Sequence, residues 1–376
     1  MEKIRVLYVE STLESGGPTT QLYGIISNLD KMKFEPCILT LSQEPSNSSR
    51  KKFMDLGVEI KSLNLNRMEF IAYGKLALKR KVTEFNPHII HTSGLRADGA
   101  ISKMKLKYPH CLTVHNYVFD DYIRKYGIFV GRIAAYYGLS AIRNCNYAIC
   151  CSQTLEKMYS NLLNKKMYSI QNGVDIDKFT SINTLKEKNR LRSELNIPED
   201  KIIFLVVGKL INRKDPMVVI RAFKQAEVSQ NATLILLGDG ELYEECKKLE
   251  NDSIKVLGNV SDVCKYLRAG DVYISASHSE GLPYSVLEAG SCGMDMILSS
   301  IPQHREIFED KPDLIQYFEV GNMEKLSAII RKNIDNHKSL NKVEISKYIR
   351  DRFSDKAMST NYERMYNQIL SGEVKK

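Results

Sequence analysis

Two glutamates with seven residues between them, Glu280 and Glu288, bracket a turn and a helix start in the stretch Ser277-His278-Ser279-Glu280-Gly281-Leu282-Pro283-Tyr284-Ser285-Val286-Leu287-Glu288-Ala289-Gly290. The apolar run 272–276 reads as a strand feeding that turn. Pro283 suits the first helical position, where a missing N–H costs nothing. A strand, a Gly-Leu-Pro turn and a helix N-terminus aim backbone N–H groups and a positive dipole end at one point, which favours an anion. With the helix starting at Pro283, Glu288 lies roughly 8 Å along its axis, at about 1.5 Å per residue. The spacing suits a ligand with a diphosphate in the middle and hydroxyl-rich groups at both ends. A nucleotide-sugar is such a ligand.

Other residues could serve the same chemistry. Val207-Gly208-Lys209-Leu210-Ile211-Asn212-Arg213-Lys214-Asp215 ends a strand and enters a helix with three cations. The plain reading is a solvated charge run; at a strand carboxyl end, Lys209 and Lys214 would instead neutralise a departing diphosphate, the task a metal performs elsewhere. Gly16-Gly17-Pro18-Thr19-Thr20 sets two residues without side chains before a helix, as an ordinary turn or as a place of close backbone approach to a phosphate or a transferred group. His115, beside Asn116 at a strand end, is either a site residue or a structural hydrogen-bonding histidine. Asp175-Ile176-Asp177 reads as turn and cap aspartates rather than a metal chelate. His88 and His91 point to opposite faces of a strand and make no metal pair. Neither G-x-G-x-x-G nor G-x-x-x-x-G-K-[ST] occurs, which argues against a nicotinamide enzyme and a P-loop ATPase.

The elements that must position these residues alternate between strand and helix. Strands are expected at 4–9, 35–40, 58–63, 89–92, 112–115, 147–152 and 168–170, with helices from the Gly16-Gly17 turn to about residue 29, at 70–85 and at 97–106. The pattern restarts with strands at 202–207, 233–237, 253–257, 272–276 and 294–299 and helices at 217–227, 241–250, 263–269 and 323–335. A polar stretch, 181–200, is expected to be the linker between two domains. Short β-branched runs alternating with helices imply parallel sheets covered on both faces, and two doubly wound domains in series imply a cleft at their strand carboxyl ends. A last helix, 355–370, carries Tyr362, Met365, Tyr366 and Ile369 at helical spacing and must pack on something.

The chain of 376 residues is long enough for two such domains. No apolar run is long enough to span a bilayer and no leader opens the chain, so a cytoplasmic protein is expected. Eight cysteines without C-x-x-C spacing read as reduced thiols. Residues 1–170 hold 24 Lys and Arg against 14 Asp and Glu, and residues 171–376 hold 30 against 31, so the whole net charge of +9 sits in the first half. A basic half implies an anionic partner. The mix of aromatic and basic residues over 119–137, with Lys75, Lys79, Arg80, Lys81, Lys103, Lys105 and Lys107, points to an anionic membrane surface, set against a half-buried helix with a solvated face. No nucleic-acid motif is present.

These residues, in this order, resemble the GT-B fold retaining glycosyltransferases of family 4, the glycosyl transferases group 1, which include bacterial polysaccharide and glycolipid transferases. The markers are Gly16-Gly17-Pro18, Asn172-Gly173-Val174-Asp175 with Lys178-Phe179, Val207-Gly208-Lys209 with Lys214, Leu237-Gly238-Asp239-Gly240, Leu257-Gly258-Asn259-Val260, and above all Glu280-Gly281-Leu282-Pro283 through Glu288. The resemblance implies an α/β GT-B fold: an acceptor-side Rossmann-like domain at 1–172, completed by the helix 355–372, and a donor-binding one at 173–354. It implies that Glu280 binds donor-sugar hydroxyls and Glu288 the ribose. Lys209, Lys214 and the backbone of Gly281, Leu282 and Pro283 would hold the diphosphate. Gly208 and Val260 would line the donor, while Gly16, Gly17 and His115 would approach the transferred sugar. The group often has Arg where Lys209 stands, and Lys offers a point charge rather than a fork. The implied activity is metal-independent, cofactor-free hexosyl transfer from a UDP- or GDP-sugar to a glycan or lipid-linked acceptor, with no nucleic-acid partner, at the inner face of the plasma membrane. A sugar-nucleotide epimerase, a phosphorylase and a silent sugar-binding subunit stay open as alternatives.

Overall fold

The computed structural model describes residues 2–182, 184–335 and 342–373. It divides into two compact units, Met1–Gly173 joined by Asp355–Lys376, and Val174–Ser354. The first holds seven parallel strands: β1 (Ile4–Glu10), β2 (Phe34–Thr40), β3 (Glu59–Ser62), β4 (Ile89–Ser93), β5 (His110–Val114), β6 (Tyr147–Cys150) and β7 (Tyr168–Ser169). Their order is β3-β2-β1-β4-β5-β6-β7. Apolar runs without alternation explain the parallel sheet, since helices cover both of its faces and all five residues of β4 are buried. The strand order reverses between β1 and β4, where open α/β sheets bind ligands beyond the carboxyl ends. Register places Glu10 opposite Ser93 and Ser93 opposite Thr113. His115 directly follows β5.

The final helix, Asp355–Ser371, supplies part of this unit's core. Tyr362, Met365, Tyr366 and Ile369 are buried with Tyr8, Leu22, Ile25 and Ile26. Their polar atoms are satisfied there: His91 meets the Tyr366 hydroxyl through Nδ1 at 2.7 Å and Thr113 Oγ1 through Nε2 at 2.8 Å. The Tyr362 hydroxyl reaches the same threonine oxygen at 3.1 Å. His88 Nδ1 accepts from the Arg5 N–H at 2.9 Å. Both histidines are thus held by structural partners.

The second unit holds six parallel strands: β8 (Ile202–Val207), β9 (Ala232–Leu237), β10 (Ile254–Gly258), β11 (Val272–Ser275), β12 (Asp295–Ser299) and β13 (Gln316–Phe318), in the order β10-β9-β8-β11-β12-β13. Here the reversal falls between β8 and β11.

Three expectations need correction. The stretch 181–200 is no linker. It carries the helix Leu185–Glu194, capped by the Thr184 hydroxyl, and that helix belongs to the second unit. Arg192 is only 4% exposed, pairs with Asp271 at 2.5 Å and donates to the carbonyls of Ala269, Glu199 and Lys201. The low apolar content misleads because this helix is anchored by a buried ion pair rather than by an apolar stripe. The helix expected at 97–106 runs Leu95–Ile101 and gives way to a turn in which Met104 N–H bonds Ile101 O. The helix expected over 70–85 opens with a π-helical turn, Phe70–Gly74, before Lys75–Phe85. A Cβ at Gly74 would sit 2.4 Å from the Phe70 ring, so the wide turn needs that glycine.

Candidate functional site

In the second unit, the loops after β8 and β11 clasp each other. His278 N–H donates to Arg213 O at 2.8 Å, and the His278 ring meets Asp215 Oδ2 at 3.0 Å. The Asp215 Oδ1 atom caps the following helix, Pro216–Ala226, by accepting from Val218 N–H. Inside the clasp lies the Glu280 carboxylate, 7% exposed. Its Oε2 takes Arg213 Nη1 at 2.8 Å, and its Oε1 takes Lys214 Nζ at 3.1 Å and the Ser277 hydroxyl at 2.8 Å. Burial works to raise its pKa, but the Lys214 and Arg213 charges and the hydrogen bonds from Arg213 and Ser277 outweigh it. They hold the carboxyl far below the usual carboxylate range. Glu280 is therefore an acceptor at any working pH and no proton donor.

Glycines let the cations approach. Gly208, at φ +138, lies under the Lys214 side chain: a Cβ there would be 2.9 Å from Nζ. Gly238, at φ +135, has no room for any side chain, since a Cβ would stand 2.0 Å from Gly208 O. Hydrogen bonds from Gly208 N–H to Leu237 O and from Gly238 N–H to Gly258 O close the carboxyl ends of β8, β9 and β10 together. Val260 follows β10 on the same side, partly buried.

The helix after the Gly281-Leu282-Pro283 turn is Tyr284–Ser291, and Pro283 stands outside it, in extended conformation at the N-cap. Proline fits there because φ near −65° is fixed while ψ stays free. It has no N–H to offer a ligand, and its carbonyl accepts from the Val286 and Leu287 N–H groups. Glu288 lies one turn further on. Burial pushes its carboxyl up to about 7, opposed by the Lys178 and Lys214 charges. The two glutamates are thus set apart in charge state by surroundings, not by sequence. Lys209 is exposed and makes no ion pair among the described residues.

A second layer positions Glu280. Ser299 Oγ donates to Ser277 O at 2.6 Å, and the buried His304 contacts Ser299 O through Nδ1 at 2.8 Å. Burial holds His304 down at about 4, leaving it neutral. Arg213, Asp215, Ser277, His278 and His304 were not anticipated as site residues. Arg213 and Ser277 could have been suspected, being adjacent to Lys214 and three residues before Glu280; nothing in the sequence signals His304.

In the first unit, Gly16 and Gly17 are exposed at the start of the helix Gly17–Ser27. Gly16 is at φ 169, which any residue adopts, and a Cβ on it would meet nothing within 4 Å. Neither backbone strain nor packing requires this glycine. His115 is partly buried, its Nε2 bonded to Ser93 Oγ at 2.8 Å, and burial lowers its pKa to about 4. It is a neutral imidazole, with Nδ1 unpartnered among the described residues. Asp175 Oδ1 accepts from the N–H groups of Asp177 and Lys178, an aspartate turn. Among the described residues no group of three or more His, Cys, Asp and Glu could hold a metal ion. Each of the eight cysteines is buried and free.

Two doubly wound parallel units, one carrying a carboxylate clasped by cations beside a helix start, define the GT-B glycosyltransferase class. The Glycosyl transferases group 1 model matches residues 187–351 and the Glycosyltransferase Family 4 model matches residues 15–178, so the chain belongs to this family of glycosyltransferases. It is similar to the O-antigen biosynthesis glycosyltransferase WclY of Escherichia coli, 26% identical over 98% of this chain and 99% of that one. It is also similar to the UDP-Gal:alpha-D-GlcNAc-diphosphoundecaprenol alpha-1,3-galactosyltransferase of Escherichia coli, 26% identical over 73% of this chain and 72% of that one. In fold it is similar to Anabaena HepE in complex with UDP-glucose, at a TM-score of 0.80 and 16% identity, covering 97% of this chain and 100% of that one.

Proposed function

We propose that this glycosyltransferase is a retaining, metal-independent enzyme that moves a hexosyl residue from a nucleoside-diphosphate sugar, a UDP-sugar in preference to a GDP-sugar, to a glycan or lipid-linked acceptor in cell-surface polysaccharide assembly. The observation that carries the reading is the buried Glu280 carboxylate clasped by Arg213, Lys214 and Ser277 at the start of Tyr284–Ser291. A permanent carboxylate accepts sugar hydroxyls, and cations beside a helix N-terminus stabilise a departing diphosphate. The relatives' names support the acceptor class, and the Anabaena complexes with UDP and UDP-glucose support the donor class.

On this reading Glu280 takes donor-sugar hydroxyls and Glu288 the ribose. Lys209, Lys214 and the backbone of Gly281 and Leu282 stabilise the diphosphate as the anomeric C–O bond breaks, while Pro283 fixes the turn. Gly208 and Val260 line the donor; Gly16 and Gly17 leave room for it. Neutral His115 offers the transferred sugar a hydrogen bond without adding charge. The acceptor hydroxyl attacks from the face the diphosphate leaves, and its proton passes to the leaving phosphate oxygen.

A panel of UDP- and GDP-sugars scored by thermal shift tests the donor, since a ligand at about 100 times its Kd stabilises by about 2.7 kcal/mol. UDP-sugars are expected to give the larger shifts. Glu280→Ala is expected to abolish donor hydrolysis and transfer, and to cost about 2 kcal/mol of stability by removing the carboxylate that the half-buried Arg213 and Lys214 share. Wild-type turnover in that variant would sink the assignment.

A further inference from the structure

Two arginines of the first unit, Arg67 and Arg96, come together without a carboxylate partner. Arg96 follows the end of β4 by three residues: Gly94, at φ +95, turns the chain out of the strand and into the helix Leu95–Ile101. Arg67 opens the short helix Arg67–Glu69 beyond the carboxyl end of β3. Burial first, and then the Arg67 charge, pull the pKa of the half-buried Arg96 below its usual value. Neither arginine forms an ion pair among the described residues, and Arg96 Nη1 is buried with no hydrogen-bond partner. Glu69, the one carboxylate of the Arg67–Glu69 turn, folds back instead to accept from the Asn66 N–H at 2.8 Å. The Phe70 ring lies 5.9 Å from the Arg96 guanidinium, and the Tyr126 phenol is within electrostatic reach of it.

A buried donor without a partner costs stability, and a like charge beside it adds to that cost. An anion arriving between the two guanidiniums removes both penalties. Guanidinium forks match phosphate oxygens two at a time, which a carboxylate-poor, aromatic-walled setting favours. The charge selects among phosphates: two arginines balance a diphosphate diester, whereas a single phosphodiester balances one. The place also fits the reaction. Ser93, the last residue of β4, holds His115 through Nε2, so Arg96 stands at the same carboxyl edge of the sheet as the histidine assigned to the transferred sugar.

We propose that Arg96 and Arg67 bind a diphosphate group carried by the acceptor, which narrows the acceptor to a diphosphate-linked sugar. The acceptor role rests on the function proposed above; the anion site rests on the first unit alone. Calorimetric titration of the full chain tests it, with UDP added to saturation so that the donor side is filled. The probes are geranyl diphosphate, inorganic phosphate and short-chain dihexanoyl phosphatidylglycerol. Geranyl diphosphate should bind more tightly than either singly phosphorylated probe. Arg96→Gln and Arg67→Gln should each weaken it about ten-fold or more, while UDP binds both variants as it binds the wild type. Arg96→Gln should not lower the melting temperature of the ligand-free chain, since it removes an unpaired donor and a like-charge contact. A lowered melting temperature would mark Arg96 as a structural residue and overturn the inference. No binding of geranyl diphosphate, or unaltered binding in either variant, would also overturn it. Equal binding of phosphatidylglycerol would assign the arginines to a lipid headgroup, and equal binding of inorganic phosphate to a free anion, each against the proposal. Failure of UDP to bind would count against the donor assignment, with the geranyl diphosphate titrations still deciding the role of the arginines.

Discussion

At the scale of single residues, the two glutamates of the motif have opposite electrostatic histories. Glu280 is held ionised by two cations and a serine, and Glu288 is pushed up to about 7 from an ordinary 4.5 by burial. Linkage then has opposite signs at the two positions. Glu280, with a depressed folded pKa, contributes stability present above pH 4.5 and lost as pH falls through its folded value. Glu288, with a raised folded pKa, contributes stability present below 4.5 and lost as pH rises through about 7. Glu288→Gln is expected to raise stability above about pH 7 by on the order of 2 kcal/mol and to flatten the decline that starts near pH 5. The same variant should bind a UDP-sugar more weakly, since the amide offers one carbonyl oxygen where the carboxylate offers two. Denaturant melts across pH with donor titrations check both; an unchanged pH profile would remove the buried-carboxyl account.

At the scale of elements, the strand ends of the second unit are built around glycines whose freedom is used differently. Gly238 combines a left-handed φ with a Cβ position 2.0 Å from Gly208 O, so Gly238→Ala should cost at least about 2 kcal/mol by moving the loops under Lys214. Gly16 has open space around it and an unstrained backbone, so Gly16→Ala should leave the melting temperature within error and still lower donor turnover. Measured together by thermal melting and turnover, the pair separates a glycine kept for folding from one kept for access. A large loss of stability in Gly16→Ala would contradict that division.

At the scale of the molecule, the first unit is assembled from both ends of the chain. The helix Asp355–Ser371 buries two tyrosines against Tyr8 and His91 and bonds their hydroxyls there. Removing residues 355–376 would expose that core and leave His91 short of a partner, a loss beyond the stability of a typical domain of about 5–15 kcal/mol. The truncated chain is expected to lose one cooperative transition in denaturant and to expose apolar surface to a hydrophobic dye. Retention of the full chain's unfolding profile would show that the helix is dispensable.

Much of this was legible in the residues themselves. Apolar runs of four to seven residues without alternation can be satisfied only between two covered faces, so parallel α/β layering followed from local pattern. The turn-and-helix motif marked Glu280 and Glu288 because strand, turn and helix signals are all short-range. What the sequence could not state was which groups lie beside these carboxylates. Arg213 and Ser277 reach Glu280, His304 supports Ser299, Ser93 holds His115, and Arg192 turns an apparent linker into a helix of the core. Each of these depends on loops from separate strands meeting at one end of a sheet. Charge state and burial are properties of that meeting, and no single stretch of chain contains it.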